Sequence, residues 1–340
     1  MADEKRSRRR VTSVDVAREA GLSRATVSFV LNDTPGQSIP EATRQRVLQA
    51  AERLGYTPYA PARTLRSGRS DVAVFVLPDW PQGPTMTEFV DRAAQVLSRA
   101  GLTLVTHVHT GDEQRLARLW TTLTPAAVFG MRPFTSVELA GMRKAGISAI
   151  LPAAEESGHD VSTTLWAKGV GRLQAEHLIR KGHTRLAYVL SDEPRLAALG
   201  QGRAEGAVEA CAAVGLAPPI VSTIALDATS AAEATESWRD GASACEAAPT
   251  AVCAYNDEVA LAILAGMRML GLSAPADLAV IGADDIPGAR FAAPPLTTVA
   301  QNSGELGARI AKALLEALEG GSPDLDLLPG DIHVVERVSA

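Results

Sequence analysis

The stretch VTSVDVAREAGLSRATVSFVLN, residues 11–32, decides how the head of the chain folds. Thr12-Ser13-Val14-Asp15 sets a hydroxyl at a helix N-cap and a carboxylate three positions on, beside the positive end of the helix dipole. Val16, Ala17 and Ala20 then recur at helical spacing. Gly21 can take the left-handed conformation that ends a helix, and Leu22 is placed to plug the corner. Ser23 is read as the cap of a second helix that turns Val27, Val30 and Leu31 inward. Arg24, Ala25, Ser28 and Phe29 then face out, with Thr26 near the helix start. A third start signal, Ser38-Ile39-Pro40-Glu41, puts proline in the first turn. The helix it opens is predicted to carry Val47, Leu48, Ala51 and Leu54 on one stripe and to stop at Gly55. Three short helices, the first two joined by a Gly-containing turn, make a helix-turn-helix able to present one helix to a DNA major groove.

Charge runs the same way. Residues 1–70 hold 13 Lys+Arg against 7 Asp+Glu, a net of +6 in a 340-residue chain whose total is −6, so the remainder carries −12. A basic head on an acidic body suggests that the head alone meets a polyanion. The plainer alternative is a solvated basic tail, because Arg8-Arg9-Arg10 supply half of the excess. At about 150 residues per domain, the length predicts two or three domains. With 46% apolar and 21% charged residues the chain is not of disordered composition. No apolar run approaches the ~18 residues of a membrane span, and MADEKRSRRR is not a secretory signal. Cys211, Cys245 and Cys253 are too few and too scattered for a disulfide framework or a thiolate zinc site, which fits a reducing cytoplasm.

Beyond residue 70 strand and helix alternate. Strands are predicted at 72–77, 102–108, 126–130, 147–151, 185–190, 220–225, 251–254 and 278–283. Helices are predicted at 85–100, 113–123, 136–145, 169–181, 202–214, 257–270 and 305–319. Strands rich in Val, Ile and Ala without alternation are those buried on both faces, which means parallel sheets. Some 270 residues of such units exceed one comfortable sheet, so two α/β lobes are expected. Ligands of such sheets bind outside the carboxyl ends of the strands, and the gap between lobes is the natural pocket.

Enzyme motifs fail. There is no P-loop, HExxH or GxSxG, and both Gly200-Gln201-Gly202 and Gly169-Val170-Gly171 break the dinucleotide fingerprint at the third glycine. His107 and His109 share a strand face but lack a third ligand, and Glu155-Glu156 reads as a solvated loop. No catalytic residue, metal or cofactor is therefore expected.

Residues 11–32, together with TRQRVLQAAERLGYTP (43–58) and ARTLRSGRS (62–70), closely resemble the LacI/GalR family of bacterial transcriptional repressors. So do AEHLIRKGHTRLAYV (175–189), AYNDEVALAILAGMRMLGL (254–272) and LAVIGADDIPGARFAAPPLTTV (278–299). The resemblance implies an α/β protein: a basic disordered arm (1–10), a helix-turn-helix DNA-binding domain (11–57) and a hinge helix (58–70). A two-lobed core of parallel sheets (71–340), similar to periplasmic binding proteins, then binds an effector and dimerises. It places Arg24, Ala25 and Phe29 at base-reading positions, and Thr12, Ser23, Thr26, Ser28 and Asn32 at phosphate-contacting ones. Arg24 can fork to guanine O6 and N7, whereas Ala25 and Phe29 offer apolar contact, for example to a thymine methyl. Core packing against the third helix is the alternative for Phe29. Leu65, flanked by Ala62 and Arg63, matches the family's minor-groove wedge in a hinge whose Pro58 and Pro61 must fall in its first turn.

Arg203, Asn256 and Asp284 match effector-contacting positions. The alternatives are a helix cap for Asn256 and an interlobe or loop contact for Asp284. Trp166-Ala167 stands where the family usually has Asp-Asn, and the first-lobe loop reads Trp80-Pro81-Gln82-Gly83-Pro84. With one sugar-grasping carboxylate missing and Trp80 and Trp166 near the cleft, two readings stay open: a less hydroxylated effector that stacks on an indole, or a cleft without ligand. The implied partners are a double-stranded DNA operator, a small-molecule effector (a sugar or related metabolite) and a second copy of the chain. No membrane partner is implied. Without a terminal leucine heptad, no tetramerising helix is expected. A cytoplasmic solute-binding protein and an α/β enzyme fused to a DNA-binding head are the rival readings.

Overall fold

The computed structural model describes residues 11–31, 37–56, 70–152, 163–240, 247–323 and 332–340. The chain divides into two compact units between Ser70 and Asp71. The first contains helices α1 (Ser13–Ala20), α2 (Arg24–Leu31) and α3 (Glu41–Arg53). Thr12 opens α1 with a reciprocal cap: its backbone N–H donates to Asp15 Oδ2 at 2.9 Å while its hydroxyl accepts from the Asp15 N–H at 3.4 Å. Gly21, at φ 65°, ends α1 in the left-handed conformation that favours glycine. Arg46 then donates to the Ala20 carbonyl at 2.7 Å and ties α3 to that corner. Val16, Val27 and Val47 form the centre of the core. Leu48 departs from its predicted stripe and is 44% exposed. Ala50 takes its place on the buried face beside Val47 and Ala51, because position 48 lies about 100° round the helix from Val47. Pro40 occupies the N-cap of α3 rather than its first turn.

The second unit holds two lobes. In the first, β1 (Val72–Pro78), β2 (Thr103–His109), β3 (Ala127–Gly130) and β4 (Ala149–Leu151) form a parallel sheet in the order β2-β1-β3-β4. Its helices are α4 (Pro84–Arg99), α5 (Glu113–Leu123) and α6 (Ser136–Lys144). The second lobe follows with α7 (Thr163–Arg180), β5 (Leu186–Ser191), α8 (Ala197–Ala213), β6 (Ile220–Ile224) and α9 (Ala228–Asp240). It continues through β7 (Ala251–Ala254), α10 (Asp257–Met269), β8 (Ala279–Ala283) and β9 (Thr297–Gln301). The chain returns to the first lobe as α11 (Ser303–Leu318), whose Ile310, Ala311 and Leu314 share that lobe's core, and ends on β10 (Ile332–Val335). The second sheet runs β10-β9-β8-β7-β5-β6, parallel except that β10 lies antiparallel on β9.

Several elements depart from the sequence expectation. Helix α7 starts at Thr163 rather than 169, and α8 at Ala197 rather than 202, after a 3-10 turn at Pro194–Leu196. Helix α9 and strands β9 and β10 were not predicted. The buried face of α9 is Ala231, Ala232, Thr235 and Trp238, too weakly apolar to stand out. Strand β9 buries two threonines, Thr297 and Thr298, that read as polar. Continuous burial holds for the central strands, whereas edge strands β2 and β6 are partly exposed along their length.

Gly171, one of the glycines of the failed dinucleotide fingerprints, has a packing role that it shares with Gly206. A Cβ on Gly171 of α7 would lie 1.7 Å from the Arg203 carbonyl oxygen, and one on Gly206 of α8 would lie 1.9 Å from that of Lys168. Only glycine admits this backbone-to-backbone crossing, and the crossing sets where Arg203 sits.

Candidate functional site

A cavity of about 270 Å³ opens between the two lobes. Phe89, Phe129 and Ile310 line it from the first lobe, Trp166, Leu199 and Tyr255 from the second, and Gln301 and Asn302 where the chain crosses between them. Trp80, Trp166, Arg203, Asn256 and Asp284 all border it, although the sequence spreads them over more than 200 residues.

Arg203 is the centre of the second-lobe wall and is only 2% exposed. One terminal nitrogen donates to the Tyr255 carbonyl and the other to Asp284 Oδ1 at 3.2 Å. Its guanidinium carbon lies 5.4 Å from the centre of the Trp166 ring and 4.7 Å from that of Tyr255, within cation–π range. Burial works against the charge on Arg203, and Asp284 with Tyr255 and Tyr188 more than offsets it, so its pKa is raised. Gln301 donates to the same Asp284 oxygen at 2.5 Å. Asp284 and Asp285 have φ 105° and 48°, in the region that favours glycine. Strain of about 1–3 kcal/mol at such a residue persists only where its surroundings impose it. Here Arg203 and Gln301 hold the first carboxylate, and Arg337 holds the second at 2.6 Å.

The side chain of Asn256 caps α10 by accepting from the Val259 N–H at 2.9 Å, the structural alternative left open for it, and the residue also borders the cavity. The next residue, Asp257, is fully buried and accepts from Thr298 Oγ1 at 2.6 Å and the Ile286 N–H at 2.9 Å. Burial pushes its carboxyl up to about 7 against those two hydrogen bonds, with Asp284 and Asp285 adding to the rise.

Sequence reading missed Tyr255, Gln301 and Gln174. Buried Gln174 of α7 donates to the carbonyls of Ala254 and Gly282 at 2.8 and 2.9 Å and accepts from the Tyr188 hydroxyl at 3.0 Å. It thereby fixes the strand ends that carry Tyr255, Asn256 and Asp284. A glutamine within an otherwise apolar helix face was the available signal. Arg195, also missed, lies 3.4 Å from Asp79 and pairs a second-lobe turn with the first-lobe loop. His109 Nε2 is 2.8 Å from an Arg132 nitrogen, and His107 is depressed by burial and then by His109 and Arg115. Among the described residues no group of three or more His, Cys, Asp or Glu side chains is placed to hold a metal.

In the first unit Arg24 and Ala25 are exposed at the start of α2, and Ser28 and Phe29 are half-buried. Phe29 stands outside the three-helix core cluster. The hydroxyl of Thr12 donates to Asp15 at 2.7 Å, and that of Ser23 caps α2 through the Thr26 N–H at 3.1 Å. Asn32, Ala62, Arg63 and Leu65, with the arm 1–10 and the hinge prolines, lie outside the described residues.

Residues 12–59 match the family described as bacterial regulatory proteins, lacI family, and residues 175–340 match a periplasmic binding protein-like domain. The HTH-type transcriptional repressor PurR of Vibrio parahaemolyticus is 31% identical over 316 residues, which cover 91% of this chain and 92% of that one. The chain belongs to the LacI family. This LacI-family member is also 29% identical over 309 residues to the HTH-type transcriptional regulator DegA of Bacillus subtilis, covering 88% of this chain and 89% of the other. Its fold matches the lac repressor dimer bound to operator and the anti-inducer ONPF with a TM-score of 0.73 at 21% identity, over 97% and 99% of the two chains. A transcriptional regulator CelR–cellobiose complex is similar at a TM-score of 0.61 and 27% identity, over 97% of this chain and all of the other. As a LacI-family protein the chain is a DNA-binding transcriptional regulator, and the relatives named here are transcriptional regulators rather than enzymes. Among the described residues no helix is long and apolar enough to cross a membrane.

Proposed function

We propose that this LacI-family regulator represses transcription as a homodimer on a near-palindromic operator, in the cytoplasm, and that a small molecule held between the lobes of its second unit controls it. The observation that carries the reading is the convergence of Trp80, Trp166, Arg203, Asn256 and Asp284 on one interlobe cavity. That arrangement supports a ligand-responsive core over a catalytic one, because its polar groups form a recognition surface and no nucleophile–base pair stands among them. PurR relatives, named as repressors, support repression.

In this reading Arg24 forks to a guanine, while Ala25 and Phe29 make apolar base contacts. Thr12, Ser23, Thr26, Ser28 and Asn32 hold phosphates, and Leu65, between Ala62 and Arg63 on one side and Arg66 on the other, wedges into the minor groove. One short recognition helix specifies too few bases alone, so two subunits are needed. Ligand binding shifts the population between DNA-competent and DNA-incompetent states by its differential affinity for them. Footprinting on genomic DNA followed by anisotropy titration of the bound site tests this. The expected result is a protected, two-fold-related site whose affinity falls at least about tenfold between roughly 50 and 200 mM salt. A protein that stays monomeric at micromolar concentration and ignores duplex DNA would refute it.

A further inference from the structure

The lining of the cleft also restricts what can occupy it. We infer that the cleft takes a neutral, flat, weakly hydroxylated aromatic compound rather than a free sugar or a phosphorylated metabolite; this rests on the ligand-responsive reading above. Rings contribute to both walls, among aliphatic side chains such as Met86, Leu199 and Ile310. Phe89 and Phe129, with ring centroids 6.2 Å apart, belong to one aromatic cluster of the first lobe, and Trp166 and Tyr255 face the cavity from the second. Trp80, on the loop after β1, packs against the second lobe's core, so an indole reaches across the gap.

Several polar groups of the lining are already engaged with protein partners, whereas Asn302 at the lobe crossing caps nothing. Arg203 is held by Tyr255 and Asp284, and Gln301 by Asp284. Asn256 caps α10, and Gln82 donates to the Trp80 carbonyl at 3.0 Å. A monosaccharide carries a hydroxyl on nearly every carbon, and each one buried here without a partner loses its hydration uncompensated. Charge excludes the phosphorylated alternative. Arg203 is the one cation among the described lining residues; it is paired with Asp284, and Glu258 adds a second carboxylate to the lining. A phosphate would therefore meet a lining whose carboxylates outnumber its one guanidinium, itself paired with Asp284. Size agrees as well: a cavity of roughly 150 Å³ accepts benzene, so about 270 Å³ suits a substituted or fused ring.

Thermal-shift and tryptophan-fluorescence titrations of the full chain test the inference. The probes are indole, vanillin, benzamide and caffeine as neutral aromatics, glucose and ribose as free sugars, and glucose 6-phosphate. The expected result is saturable stabilisation and quenching by at least one aromatic probe at concentrations where the sugars and the sugar phosphate have no effect. Trp166→Ala is expected to weaken that probe about tenfold, with Trp166→Phe restoring most of the affinity. Because the ranking of probes is read on the unaltered protein, a failure of Trp166→Ala to fold leaves the test intact. Saturable binding of glucose, ribose or glucose 6-phosphate in preference to every aromatic overturns the inference but leaves a ligand-responsive cleft standing. Binding by no probe of any class overturns the inference. The broader reading fails separately if operator affinity is unchanged by each compound that does bind.

Discussion

Arg203→Met isolates what the buried guanidinium contributes, because methionine keeps much of the length and the contact with Trp166 and Tyr255 while removing charge and donors. Two hydrogen bonds disappear, one to the Tyr255 carbonyl and one to Asp284 at 3.2 Å. Bonds involving a charged group contribute about 1.5–3 kcal/mol each, and a desolvated cation–π contact about 2 kcal/mol. Part of this is offset, since the guanidinium no longer has to be stripped of water. Removing one partner of a buried ion pair costs ~3–5 kcal/mol overall. Asp284 keeps its bond to Gln301, and its side chain is 19% exposed, so the low end applies, about 3 kcal/mol. With a urea slope of about 1–3 kcal/mol/M, the second lobe's unfolding midpoint is expected to fall by roughly 1–3 M, followed by tryptophan fluorescence. Asp284→Asn alone is also expected to destabilise. The double variant should be less destabilised than the two single effects added together, by about 0.5–3 kcal/mol. A loss below about 1 kcal/mol for Arg203→Met, with effects that simply add, would show that this pair does not hold the wall of the cleft.

Four further outcomes are expected. Gly206→Ala should cost about 3 kcal/mol or more, because its Cβ would lie 1.9 Å from the Lys168 carbonyl, whereas Gly141→Ala, with nothing within 4 Å, should be neutral or slightly stabilising in the same denaturation assay. Native Asp257, raised from 3.8 to about 7, retains a proton that the unfolded chain has lost, so its contribution to stability should decline as pH climbs from about 4 to about 7 and then level off. Melts across that range should show the decline in the parent and a flatter profile in Asp257→Asn. Arg24→Ala should relax base preference at one half-site position by about 1–3 kcal/mol in competition binding, and unchanged preference would reassign the reader. Leu65→Ala should weaken operator binding far more than non-specific DNA binding, and equal losses would remove the wedge.

What was legible in the sequence is what depends on local periodicity. Thr12 with Asp15, Gly21 and Ser23 are cap and turn chemistry settled within four residues, and the structure builds α1 and α2 from them. The apolar runs of β1, β3, β7 and β8 likewise announce buried strands. Helix α9 was missed because alanines and a threonine form most of its inner face. A surface that small is buried by close approach rather than by hydrophobic bulk, and Gly266 of α10 lets it in, since a Cβ there would lie 2.6 Å from the Ala232 nitrogen. In the cleft, residue types matched to the family located Arg203, Asn256 and Asp284. The partners that hold them, Gln174, Tyr255 and Gln301, are set by tertiary contacts up to 108 residues apart and leave no local pattern.

The same contacts say how occupancy of the cleft reaches beyond it. Gln301 is the last residue of β9, and two positions later the chain enters α11 in the other lobe. Its amide holds Asp284, which holds Arg203, so the strained turn, the cleft wall and an interlobe crossing form one hydrogen-bonded chain. On the far side α11 and α4 approach backbone to backbone, since a Cβ at Gly307 would lie 2.1 Å from the Phe89 carbonyl oxygen. Phe89 itself lines the cavity, so a change at either wall is carried by helices already in backbone contact rather than absorbed by loose side chains. Packed layers of this kind respond by rotating as bodies about their crossings. A ligand that displaces Asp284 from either partner is therefore expected to act on the relation between the lobes. The energy it can deliver is bounded by the difference in the contacts it makes in the two arrangements.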